Sequence, residues 1–100
     1  TPLYSTDYAH GWQSYVTLID EQTSPFSRNE IMEKLQALGI STRPGTHAVH
    51  MLNYYKQKYD LRPSDYPGAQ MANDFSMAIP LHNRMSAEDY AYVVKMIKTL

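Results

Sequence analysis

Two short stretches, Ser27-Arg28-Asn29-Glu30 and Ser86-Ala87-Glu88-Asp89, each place a serine three residues ahead of a carboxylate. Such a pair closes the first turn of a helix: the serine oxygen accepts from a free backbone N–H, and the carboxylate reaches back to the serine's own N–H. Apolar residues flank each box at staple positions, Phe26 with Ile31 and Met85 with Tyr90. Two helix starts are therefore fixed before anything else is considered. Gly39 falls where a left-handed residue is wanted after a last turn, so the spacing predicts a helix over 27–38 with Ile31, Leu35 and Leu38 on one face. The second box opens a helix that runs to the C-terminus, with Tyr90, Val93, Val94 and Ile97 aligned.

The remaining segments fall around these two. Residues 1–11 have no period and read as a lead-in. "WQSYVTLID", residues 12–20, is rich in aromatic and β-branched side chains and reads as a strand. A short strand over Ile40–Thr42, a short helix over Met51–Tyr59, another over about residues 67–74, and a strand "SMAI" stopped by Pro80 complete the order. Amphipathic helices alternating with short strands pack most easily on one face of a small sheet. The expected fold is a two-layer α+β sandwich, a small, mostly antiparallel sheet with helices on one face, formed by residues 12–100 as a single domain.

Charge and composition narrow the function classes. One hundred residues suffice for one modest core. Nine Lys/Arg are interleaved with ten Asp/Glu for a net charge of −1, which gives neither nucleic acid nor an anionic membrane a basic surface to bind. No apolar run approaches the roughly 20 residues of a membrane-spanning helix. The absence of cysteine excludes disulfides, thiolate nucleophiles and cysteine zinc sites, and it is compatible with a cytoplasmic protein. The chain opens at Thr1 without a methionine, which suggests a piece of a longer polypeptide.

Candidate chemistry concentrates in "ISTRPGTHAVHMLNYY", residues 40–55. His47 and His50 are three apart, a spacing that on a helix would put both rings on one face and offer two metal ligands, but Pro44-Gly45 just before them argues against helical geometry. Arg43, Gly45 and Thr46 combine a guanidinium, a close backbone approach and a hydroxyl, a set suited to phosphate, although Pro44-Gly45 also reads simply as a turn. Nine tyrosines stand against two phenylalanines and one tryptophan. Of these, Tyr8, Tyr54, Tyr55 and Tyr66 lie in loop-like surroundings where a ring and a hydroxyl could meet a sugar, a base or a protein partner. Glu88 and Asp89 sit where negative charge complements a helix dipole. No lysine has the desolvated or cationic setting that a Schiff-base nucleophile needs. With no nucleophile, base and orienter in sight, these residues do not read as a complete enzyme.

Taken in order, "HGWQSYVTL", "SRNEIMEKLQALGISTRPGTHAVHMLNYY" and "YPGAQMANDFSMAIPLHNRMSAEDYAYVV" resemble the C-terminal small domain of the DegT/DnrJ/EryC1/StrS aminotransferases. The likeness lies in a strand, a helix ending L-x-x-x-G-I, a loop with a histidine before a tyrosine pair, a strand ending in P-L, and a last helix opened by M-S-x-E-D. It covers about residues 10–100, with perosamine synthase-like members the nearest subgroup. The "TRPGTHAVH" stretch departs from the commoner pattern, in which a tyrosine and a proline precede the histidine aligned with His50.

The resemblance implies a fold-type I, pyridoxal-phosphate-dependent parent enzyme, a homodimer, that aminates a nucleotide-linked keto-sugar with an amino-acid donor in surface polysaccharide or deoxyaminosugar biosynthesis. It implies that the cofactor-binding lysine and its partners belong to a large domain with no counterpart here, so that this piece alone holds no cofactor and is inactive. The substrate-facing edge would be the 43–55 loop, with His50 carried over from the family, and Arg43, His47 and Tyr55 added on their local chemistry. The strand and helix order also allows a free-standing ligand-binding or protein-interaction module, since fold does not fix function.

Overall fold

A computed structural model describes residues 5–100; the first four residues of the expected lead-in lie outside the described residues, and residues 5–14 hold no regular helix or strand. Three strands follow, β1 (Tyr15–Leu18), β2 (Arg43–Pro44) and β3 (Ser76–Ile79), with four helices, α1 (Arg28–Ala37), α2 (Asn53–Tyr59), α3 (Pro67–Phe75) and α4 (Ala87–Thr99). Short 3-10 turns at Val49–Met51 and Pro63–Asp65 precede α2 and α3. The sheet is antiparallel throughout, in the order β1-β3-β2. Tyr15 pairs with Ile79 and Leu18 with Ser76, while Arg43 pairs with Ala78 and Pro44 with Met77. Pro44 has no N–H to give a ladder, and its strand lies at an edge, where that loss is tolerated.

Both capping boxes form as the sequence dictates. Glu30 Oε2 accepts from the Ser27 N–H at 2.8 Å, and Asp89 Oδ2 accepts from the Ser86 N–H at 2.8 Å. At the far end of α1, Gly39 takes φ 77°, its N–H donates to the Gln36 carbonyl, and the Ile40 N–H donates to the Leu35 carbonyl. This is the Schellman closure that a glycine after the cap permits. It folds Ile40 back onto Leu35.

The core follows from that closure. Ile31, Leu35, Ile40, Met77 and Val93 form one buried cluster, flanked by Phe26, Ile79, Met96 and Ile97. Alternation along β3 turns Met77 and Ile79 toward α1 and α4, so these two helices cover one face of the sheet, as expected of a two-layer α+β sandwich. Arg28 joins the layers at one end: its Nη1 donates to the carbonyls of Asn73 at 3.3 Å and Ser76 at 3.0 Å, tying the start of α1 to the junction of α3 and β3.

Four local expectations shift. The short strand is Arg43–Pro44 and not 40–42, because the Schellman bonds and burial occupy Ile40. The first strand is Tyr15–Leu18, shorter than 12–20, since Trp12 has φ 48° and Asp20 opens a turn through its carbonyl and Oδ1. The helix expected from Met51 begins at Asn53, after Leu52 turns extended. On α4 the buried face is Val93 with Met96 and Ile97 beside it, while Val94 and Tyr90 are exposed, and the Tyr90 hydroxyl donates to the His82 carbonyl.

Candidate functional site

Two of the cavities among the described residues together take in all four candidate residues. The first, about 600 Å³, opens beside β2 and the start of α4. Arg43, Ser41 and His82 stand over a floor that includes Ile40, Ile79 and Val93. The second, about 670 Å³, is lined by His47, His50, Tyr55, Tyr59 and Tyr66 together with Ala48, Val49, Leu61 and Ala69. Arg43 therefore belongs to one cavity, and His47, His50 and Tyr55 to the other.

The aromatic cavity is built by the 3-10 turn and α2. The turn buries His50, leaving it 7% exposed, and sets its Nε2 3.1 Å from the carbonyl oxygen of Pro63. A carbonyl can only accept, so Nε2 carries the proton and donates. The Tyr66 ring leans on this imidazole at 5.0 Å between centroids and 58°. On α2, Tyr55 and Tyr59 are four residues apart and share a face, with ring centroids 6.4 Å apart and planes within 11° of parallel. Tyr54 meets Tyr55 edge-on at 5.1 Å, and Lys58 Nζ donates to the Tyr54 hydroxyl at 3.0 Å. The loop leading into the cavity is held from α3, where Asn73 Oδ1 accepts from the Ala48 N–H.

This geometry revises the local chemistry read from the sequence. The Gly45 N–H donates to the Ser76 carbonyl at 3.1 Å, so it serves the sheet and cannot join Arg43 and Thr46 in a phosphate cradle. A Cβ at Gly45 would meet Val16 Cγ1 at 2.5 Å and Ser76 Oγ at 2.6 Å, which is why glycine stands there. His47 and His50 do not acquire a third metal ligand: among the described residues no group of three His, Asp or Glu side chains assembles. His50, expected near the sugar, lines the aromatic cavity while its Nε2 donates to the Pro63 carbonyl. The sequence marks Tyr59 only through its four-residue spacing from Tyr55 on a predicted helix, and nothing local in it marks Asn73.

Two carboxyls are displaced in their titration, and both serve helix starts. The Ser27 hydroxyl and N–H hold Glu30 below the ordinary glutamate range, with a smaller contribution from Lys34. The Glu88 N–H and the Ser86 side chain hold Glu88 low. Neither group lines these two cavities or the apolar gap between β1 and α4. Pyridoxal phosphate does not fit this chain's own cavities, because no lysine lines either of them or the apolar gap between β1 and α4, and the cofactor needs an amine with which to form its imine.

The profile of the DegT/DnrJ/EryC1/StrS aminotransferase family matches residues 2–98. The chain belongs to this family. Spore coat polysaccharide biosynthesis protein SpsC of Bacillus subtilis is 27% identical over 101 residues, and uncharacterized protein MJ1066 of Methanocaldococcus jannaschii is 23% identical over 100. Each alignment covers 100% of this chain and 26% of the relative, so this DegT/DnrJ/EryC1/StrS chain spans about a quarter of their length. A solved structure of the putative sugar aminotransferase Spr1654 from Streptococcus pneumoniae, determined in PMP, apo and PLP forms, superposes with a TM-score of 0.74 at 26% identity. The match covers 86% of this chain and 21% of that one.

Proposed function

We propose that this chain is the C-terminal small domain of a pyridoxal-phosphate-dependent aminotransferase that aminates a nucleotide-linked keto-sugar, with residues 12–100 as the domain and the 43–59 segment as its substrate-facing edge. The observation that carries the reading is the family match over residues 2–98, supported by the likeness to a sugar aminotransferase over 86% of the chain. A relative's role in spore coat polysaccharide biosynthesis favours a sugar destined for a surface polymer. The cofactor and its lysine reside in the rest of the polypeptide.

Within the domain the roles divide. Tyr55 and His47 contact the ligand, His50 fixes the wall on which they stand, and Arg43, on its separate cavity, offers a cation to an anionic group of substrate or donor. The parent enzyme is a homodimer working in the cytoplasm with an amino-acid donor.

The test uses the complete polypeptide. Visible absorption before and after borohydride, followed by transamination assays with nucleotide-linked keto-sugars and L-glutamate, should show a band that reduction abolishes and an aminated sugar product. A colourless protein that fails to take up added pyridoxal phosphate removes the reading.

A further inference from the structure

We infer that the tyrosine-lined cavity beside α2 holds the planar ring of a nucleobase, an assignment that rests on the nucleotide-sugar reading above and specifies which part of the substrate this domain takes. At about 670 Å³ the cavity lies within the size range of small-molecule sites. Its walls are rings: Tyr55 and Tyr59 present faces within 11° of parallel, and Tyr66 leans on His50. Base–aromatic stacking needs only such faces, because every base has one.

What the lining lacks decides between ligands. No carboxylate, amide or guanidinium side chain lines the cavity. A pyranose seated there would find only the three tyrosine hydroxyls and His47 to pair with its own hydroxyls and ring oxygen, and each group left over is a desolvation cost, whereas the faces of a base ask for no hydrogen bond. An organic cation is disfavoured for the same lack of counter-charge, and because Lys58 Nζ already lies 5.3 Å from the Tyr54 ring and 5.4 Å from the Tyr59 ring. That ammonium instead suits a ligand whose planar ring is tethered to phosphate. The hydroxyls of Tyr55, Tyr59 and Tyr66 make no hydrogen bond among the described residues and are available to the edge of the base. With the His50 ring fixed by the Pro63 carbonyl, that part of the wall is ordered before the ligand arrives, which lowers its share of the entropy cost of binding.

The experiment compares uridine diphosphate and guanosine diphosphate with inorganic pyrophosphate, by calorimetry on the complete polypeptide. Tyr59 is 58% exposed, so Tyr59→Ala should fold, and Tyr59→Leu keeps apolar bulk without a π-face should it not. The expected result is a loss of about tenfold or more in nucleoside diphosphate affinity in either variant, near-parental affinity in Tyr59→Phe, and no change for pyrophosphate. Unchanged nucleoside diphosphate binding, or an equal loss for pyrophosphate, overturns the assignment. If the same preparations still show a borohydride-sensitive band and still aminate a nucleotide-sugar, the aminotransferase reading survives that loss; if the parent protein shows no band, it is the aminotransferase reading that has failed.

Discussion

Asn73 Oδ1 accepts the backbone N–H of Ala48 at 2.9 Å, across 25 residues of sequence. Ala48 is buried, so its N–H has no water to fall back on. Asn73→Ala should cost about 1–3 kcal/mol, the penalty for a buried donor left unpaired, and hydrogen exchange at the Ala48 amide should accelerate well beyond the global change. An Ala48 amide as protected as before would show that the side chain does not hold the loop.

Gly45 and Ser76 predict opposite outcomes for two alanines. In Gly45→Ala the new methyl would crowd Ser76 Cβ at 2.8 Å, and neither a strand backbone nor a one-atom side chain can yield cheaply; thermal denaturation should register a loss of about 1–3 kcal/mol. In Ser76→Ala the deleted hydroxyl is buried and without a partner, so stability should hold or rise. A Ser76→Ala variant that melts markedly lower would mean that the hydroxyl has a partner.

His50 offers a separation of packing from ligand contact. Its Nε2 donates to the Pro63 carbonyl, so His50→Ala should loosen the 61–66 turn and raise KM for the nucleotide-sugar in the complete enzyme. His50→Gln, which retains a donor at similar reach, should recover most of that loss. Equal KM values for the two variants would assign the imidazole itself to the substrate.

The capped helices predict an acid response. Glu30 is held low by the Ser27 hydroxyl first and Glu88 by its own N–H first, and a depressed folded value means fewer protons bound than in the unfolded chain. Their contribution is therefore full above the unfolded value of about 4.3 and is lost as pH falls through the lower folded values. Ser27→Ala should cost about 1 kcal/mol at neutral pH and move the Glu30 titration, followed by carboxyl-carbon NMR, upward. An unmoved titration would sink the capping account.

The helix starts were legible because capping is local: Ser27 and Glu30, or Ser86 and Asp89, need only each other. The short strand lies at Arg43–Pro44 instead of 40–42 because its position is decided by a non-local contest. Ile40 has strand propensity, yet its N–H and side chain go to Leu35. The same holds for the site. That His47, His50 and Tyr55 would share a cavity was foreshadowed by their nearness in sequence, but the burial of His50 depends on Pro63 and the seating of its loop on Asn73, and Arg43 goes to a different cavity because its strand pairs with β3, all residues well downstream.

The strand order β1-β3-β2 also governs when the domain can exist. Both outer strands pair only with β3, and the Thr17 hydroxyl reaches the Met77 carbonyl across 60 residues. A nascent chain that has emerged only as far as α3 carries two strands with no partner and half a core with no floor. Such late closure slows folding and leaves edges open to other chains. A chain of which only residues up to 75 have emerged would be protease-sensitive, and protection would appear in a single step once β3 and then α4, which carries Val93, Met96 and Ile97 to the core, are both out.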